Sequence, residues 1–279
     1  MTEHQQEHSV EKMCEVLEIN RSSYYKRKNN GRSKRARENK ILLDKIKGVF
    51  TESKERYGSP RITAELKRQG LEVNKKRIAR LMNKHGIAAK IFRRYRNTTN
   101  SNHEREKSEN ILGGEFRRER INEVWTGDIT YISTEEGWLY LAAVLDIYSR
   151  KVIGWQLDKN LNSNLVEQAL KNALMDRRVE KGIIFHSDQG IQYASESFRK
   201  ILKENGFIQS MSRKGNCYDN AITETFFHSL KTELIRRTKY RTREEARRSI
   251  FEYIEIFYNR KRLHSAIGYC TPAEYENFS

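Results

Sequence analysis

Cysteine is scarce in this chain. Cys14, Cys217 and Cys270 are far apart and show no CxxC or Cys/His spacing. That excludes a zinc motif and gives no reason to expect disulfides. Long apolar runs are missing too, and the amino-terminal MTEHQQEH has no apolar signal core. No membrane span or secretory signal is therefore predicted, and the chain is expected to stay in the cytosol. Acidic residues are in deficit: 37 Asp and Glu stand against 54 Lys and Arg, a formal charge of +17. Such an excess predicts a polyanionic partner. Residues 1–110 hold 28 basic and 14 acidic side chains, and so carry +14 of the +17. A basic, DNA-gripping front joined to a more neutral body fits this unevenness better than a uniformly solvated surface. At 279 residues the chain exceeds the usual single-domain size, and several domains are expected.

In the front part, Ser9 can cap a helix whose Val10, Met13, Cys14 and Leu17 make one apolar face. After a break at Glu18–Asn20, the serines of RSSYYKRK can cap a second helix. The pair reads as a helix-turn-helix or a plain helical hairpin. Residues 29–39 read as a basic linker, followed by a helix over about Asn39–Phe50 and one opened by Ser59 before Pro60. Asn74 then caps a helix with Ile78, Leu81 and Met82 inside. Lys75, Lys76, Arg77 and Arg80 are left as candidate DNA contacts of a second helix-turn-helix. Arg93, Arg94 and Arg96 in the following KIFRRYRNTTNSN are candidates on a DNA-tracking connector.

From about residue 120 the period changes to that of strands. VWTGDITYIS, WLYLAAVLDIYS and KVIGWQLD predict three antiparallel strands. A helix capped by Ser163, the strand GIIFHSD, the helix SESFRKILKENG and the strand FIQSMS follow, then a helix over about Asn220–Leu234. Thr242 and Glu245 form a candidate capping box, and YNRKRLHSAIGYCTPAEYE reads as an irregular basic tail. The order βββαβαβα predicts an α/β fold of ribonuclease-H-like type with a mixed sheet, preceded by the helix-turn-helix region. The expected division is 1–38, 39–110, a catalytic core at 111–235, and a terminal helix and tail at 236–279.

Three carboxylates carry the chemistry. Asp128 lies in an apolar strand, where a charge is costly unless paired, metal-bound or at an edge. Asp188 sits at the carboxyl end of its strand, beside which open α/β sheets place their sites. If the first and fourth strands are neighbours, the two converge. In NAITETFFHSLKTEL, Ile222, Phe226 and Leu230 form a buried stripe, which gathers Asn220, Glu224, His228 and Lys231 on the other side. His186 and His228 read as packed or DNA-facing rather than as ligands. Two Asp and one Glu are hard donors that suit two Mg²⁺ or Mn²⁺ ions and in-line phosphoryl transfer.

These residues resemble the DDE transposases of the retroviral-integrase superfamily: 35 residues, positions 189–223, separate Asp188 from Glu224, and 59, positions 129–187, separate the aspartates. WTGDITYI, HSDQGIQYAS, NCYDNAITETFFHSLKTE and YNRKRLHSAIGYCTPAEY are similar to motifs of the OrfB transposases of the bacterial insertion-sequence-three family, and the likeness runs over about residues 9–276. The resemblance implies an integrase catalytic core with Asp128, Asp188 and Glu224 as its triad. It also implies contact of Lys231 with element-end DNA, alongside candidates Asn220 and His228, and a bacterial, nucleoid-associated setting. Implied partners are element-end and target DNA, further copies in a homo-oligomer, and OrfA as a fusion or separate protein, although no OrfA-like leucine zipper is present. A non-catalytic DNA-binding regulator and a nuclease that cuts without joining are the rival readings.

Overall fold

The computed structural model describes residues 1, 3–29, 33–89, 107–213 and 220–278. The chain divides into two compact units, residues 1–89 and 90–279. Arg93, Arg94 and Arg96 lie outside the described residues.

The first unit is helical. In α1 (Val10–Val16) the Ser9 side chain accepts from the Lys12 backbone N–H, as its position predicts. The cap of α2 (Arg21–Asn29) is Asn20: its Oδ1 accepts from the Ser22 N–H at 3.0 Å, so the serines sit inside the first turn. Helix α3 (Lys34–Glu52) begins five residues before Asn39, opened by Ser33, and takes in much of the expected linker. Its KRAREN segment consists mostly of good helix formers, and charge on an exposed helix face is no obstacle. Helix α4 (Ser59–Arg68) starts on Gly58 rather than Ser59, whose carbonyl instead accepts from the Thr63 hydroxyl at 2.6 Å. Asn74 caps α5 (Lys75–Lys84) as predicted. Ile46, Ile62, Leu66 and Ile78 are fully buried and join α3, α4 and α5 around one core.

The second unit is built on a mixed sheet. Strands β1 (Val124–Thr134), β2 (Gly137–Asp146) and β3 (Val152–Asp158) form an antiparallel meander. Helix α6 (Ser163–Asp176) then leads to β4 (Ile184–Ser187), and α7 (Glu196–Glu204) to β5 (Ile208–Met211), giving the order β3-β2-β1-β4-β5. β1 and β4 are parallel neighbours, as convergence of the aspartates requires. Asn162, not Ser163, caps α6. Gly154 lets that helix lie on β3, because a Cβ there would fall 2.4 Å from the Ala169 carbonyl. Trp125, Phe185, Phe198 and Leu170 fill the core beneath α6 and α7. Because β4 pairs only with Val124–Gly127, no described strand pairs with that edge of β1 from Asp128 to Ser133. The Thr134–Tyr240 bridge closes it beyond.

Helix α8 (Ala221–Glu233) follows, then α9 (Arg243–Phe251), which runs on as a π turn over Glu252–Tyr258, and α10 (Pro272–Glu276). The Thr242–Glu245 box is half formed: Thr242 accepts from the Glu245 N–H, but Glu245 turns to the Arg241 N–H. A complete box occurs at Thr271 and Glu274. The tail is thus ordered and largely interior rather than irregular. Arg262 donates through Nε and Nη2 to the Glu233 carboxylate at 2.8–3.1 Å and through Nη2 to Ser229, while the Tyr253 hydroxyl donates to Glu233 at 2.9 Å. Burial pulls the Arg262 pKa down, but the Glu233 carboxylate together with Tyr253 and Tyr258 outweighs that and the net shift is upward, so the pair stays ionic. Arg262→Met is expected to lower unfolding free energy by about 3–5 kcal/mol, because it strands a buried carboxylate. A urea titration of the purified variant checks this; a loss under about 1 kcal/mol would contradict it. No helix among the described residues is long and apolar enough to cross a membrane.

Candidate active site

Asp128 lies where β1 loses its β4 partner, and its Oδ1 accepts from its neighbour Ile129 N–H at 2.7 Å. Gly127 before it is required by packing: a Cβ there would sit 2.8 Å from the Phe185 ring. Asp188 directly follows β4, and its Oδ1 accepts from the Gly190 N–H at 2.9 Å. A Cβ on Gly190 would approach that oxygen to 2.9 Å, so glycine lets the loop fold back under the carboxylate. Asp128 and Asp188 line one crevice of about 300 Å³ with Tyr131, Tyr140, Leu161 and Tyr193.

Helix α8 brings the third carboxylate. Ile222, Phe226 and Leu230 are buried as the four-residue repeat predicts, while Glu224 and Lys231 are half-buried. The helix is pinned to β1 by side chains: the Thr126 hydroxyl donates to Asn220 Oδ1 at 2.9 Å and lies 2.8 Å from the Thr223 hydroxyl. Thr126 precedes Asp128 by two residues and Thr223 adjoins Glu224, so this latch sets one carboxylate against the other. Asn220 is consequently 7% exposed and engaged inside, which does not suit its expected role at DNA. His228 is exposed. His186 is packed, with Nδ1 2.9 Å from the Ser210 hydroxyl.

Charge makes the crevice a unit. Burial first, then the Asp188 and Glu224 carboxylates, hold the Asp128 carboxyl well above the usual range; the Ile129 N–H and the Lys231 ammonium oppose them. Burial raises Glu224 as well. Lys231 is lowered by burial against the pull of Asp128, and its Nζ sits 5.4 Å from the Tyr131 ring centroid. Tyr193, a buried phenol raised by burial and by both aspartates, was not singled out by residue type; its only signal is its place in HSDQGIQYAS. Hard oxygens whose mutual repulsion a cation would relieve fit Mg²⁺ or Mn²⁺ in kind. Among the described residues no three His, Cys, Asp or Glu side chains already form a metal cluster.

In protein without metal, ionising Asp128 burdens the fold. A raised folded pKa means that the unfolded chain loses this proton first, so the penalty grows as pH rises past the unfolded value and is complete above the folded one. Asp128→Asn is therefore expected to raise the melting temperature in chelator at about pH 8, with a much smaller gain near pH 4. Equal shifts at both pH values in calorimetry would contradict this.

In the first unit, Lys75, Lys76 and Arg80 are exposed on α5. Arg77 is turned onto α3 instead, donating from Nε to Asn39 at 2.9 Å and from Nη2 to Glu38 at 3.3 Å.

Comparison with known proteins accords with both units. An HTH-like domain model matches residues 36–95, and integrase core domain models match 118–217 and 224–279. The chain is 41% identical over 276 residues to "Transposase InsF for insertion sequence IS3A" of Escherichia coli (strain K12), covering 98% of this chain and 96% of that one. It is 40% identical over 263 residues to the "Insertion element IS600 uncharacterized 31 kDa protein" of Shigella sonnei, covering 94% and 97%. The catalytic core domain of BIV integrase is similar at 19% identity and a TM-score of 0.44, over 56% of this chain and 95% of that one. With four-tenths identity sustained along nearly the whole length, and a helical HTH-like region ahead of a ribonuclease-H-like integrase core, the chain belongs to the OrfB transposases of the insertion-sequence-three family.

Proposed function

We propose that Asp128, Asp188 and Glu224 are the catalytic triad of this transposase, and that they cut DNA at the element ends and join it to a new site. The observation that carries the reading is the crevice lined by Asp128 and Asp188 where β1 loses its partner, with Glu224 on α8 near enough to join Asp188 in resisting ionisation of Asp128. Two Mg²⁺ or Mn²⁺ ions held there would supply Lewis-acid activation of the attacking oxygen and stabilisation of the leaving one. The chain's own part is to place oxygens: Gly190 folds the loop under Asp188, and the Thr126–Thr223–Asn220 latch holds Glu224 to β1. Lys231, a compact ammonium beside the carboxylates, positions a DNA phosphate and cannot ligate a cation while protonated.

The proposal includes the HTH-like region and exposed Lys75, Lys76 and Arg80 as duplex contacts, with Arg93, Arg94, Arg96 and His228 as further candidates. By family kinship it includes a homo-oligomer on DNA and an OrfA partner, fused or separate. The functional division at residues 38, 110 and 235 belongs to the same proposal.

Lys231→Glu tests the site. Strand transfer of end DNA should fall roughly tenfold or more, as for loss of one charge-assisted contact. Calorimetric Mg²⁺ titration should still show occupancy. Unchanged joining would reject the DNA role, and loss of metal binding in folded protein would place Lys231 among the groups that hold the ion site together. Absence of any metal-dependent cleavage by wild type would favour the regulator reading, and cleavage without joining the nuclease reading.

A further inference from the structure

Beside the carboxylates, three aromatic side chains share one side of the β1–β2 hairpin. The register pairs Tyr131 with Tyr140 and Ser133 with Trp138, so alternation puts Tyr131, Tyr140 and Trp138 on a common face. The opposite face is fully covered there: Ile132, Leu139 and Leu141 have no exposure at all. Trp138, by contrast, is 50% exposed. Its ring meets the Tyr131 ring edge-on, with centroids 5.1 Å apart. Asp128 points to the other side of the sheet, but β1 has an open edge at this point, and the 300 Å³ crevice reaches around it to be lined by both aspartates and both tyrosines. Positive charge flanks the aromatics. Lys231 lies 5.4 Å from the Tyr131 centroid, and Arg243 donates from Nε to the Trp138 carbonyl at 3.1 Å. The exposed Glu136 nearby is engaged by the Arg243 backbone N–H at 2.8 Å.

We propose that Tyr131, Tyr140 and Trp138 form a stacking platform for unpaired bases of the DNA strand being cut, with Lys231 and Arg243 taking the neighbouring phosphates. This rests on the carboxylate crevice being the reaction site. The chemistry is selective for unpaired nucleotides, because a base inside a duplex has both π-faces covered by its neighbours. Opening the last base pairs costs a few kcal/mol, and an aromatic partner returns about 1–3 kcal/mol per base whatever the base is. The platform therefore helps a frayed end, and its scissile phosphate, settle against the carboxylates without reading sequence.

The test compares full-length protein on two end duplexes in chelator: one with three unpaired nucleotides at the end of the cut strand, one fully paired. Contacts of the helical region are common to both and cancel in the affinity ratio, and no catalysis is needed. Wild type is expected to prefer the unpaired end by about tenfold, Trp138→Ala to bring the ratio close to one, and Trp138→Phe to keep most of the preference. No preference in wild type, an unchanged ratio in Trp138→Ala, or equal losses on both duplexes would overturn the platform. Because the readout is binding, it can fail while the triad variants still abolish cleavage, and the reverse.

Discussion

Asp188→Asn is expected to abolish metal-dependent cleavage and strand transfer, a fall of roughly 10³-fold or more, as for removal of a member of a cooperating catalytic set. Folding should survive. The asparagine side-chain oxygen can still accept from the Gly190 N–H that Asp188 holds at 2.9 Å, and the volume hardly changes. What disappears is a negative charge needed by a divalent ion, together with one of the two carboxylates that push up Asp128. Asp128→Asn and Glu224→Gln should fail in the same way. Purified variants that unfold cooperatively, no less stable than wild type, and end-DNA substrates in Mg²⁺ provide the measurement. Near-normal turnover in any one of the three would remove the triad assignment.

A second large effect is expected from salt. If the front of the chain neutralises six to ten phosphates, counterion release makes affinity for end DNA fall by roughly 10³–10⁵ between 50 and 200 mM salt. Substituting Lys75, Lys76 and Arg80 together by Ala should flatten the slope of log affinity against log salt by about 2.7, near 0.9 for each contact. Arg77→Ala should leave the slope unchanged, because that guanidinium is turned onto Asn39 and Glu38. Anisotropy titrations at several salt concentrations distinguish these variants. A triple variant with the wild-type slope would show that α5 does not track the backbone.

Much of the second unit was legible because its strands are long and apolar and its helices carry a clear stripe. The existence of the five strands and the buried Ile222, Phe226 and Leu230 follow from patterns of period two and four, whereas the β1–β4 neighbourhood is expected only as a condition of the ribonuclease-H-like order. Single caps were harder to read. Several side chains near a helix start can accept a backbone N–H, so Asn20 and Asn162 displaced the expected serines by one to three positions, while α4 opens on Gly58 with no side-chain cap at all. Charge also misled. KRAREN looks like linker to an eye set on apolar residues, yet it is the first turns of α3. The basic look of NRKRLH hid Arg262, whose guanidinium is interior because the Glu233 carboxylate of α8 meets it. Asn220 shows the limit of a helical wheel: it gives direction about one axis, while the Thr126 hydroxyl across the gap decides whether the amide faces solvent.

The grip of Arg262 on Glu233 has a consequence for how the transposase matures during synthesis. Helix α8 carries Glu224 near its start and Glu233 at its end, so the clamp that steadies it reaches back from Arg262. A ribosome that has made all three carboxylates has made the latch at the start of α8 but not the group that fixes its far end. Residues 225–262 must emerge before α8 can be locked at both ends. Products that stop between these positions would therefore keep Asp128, Asp188 and Glu224 but leave the buried Glu233 carboxylate without its guanidinium, which destabilises the end of α8.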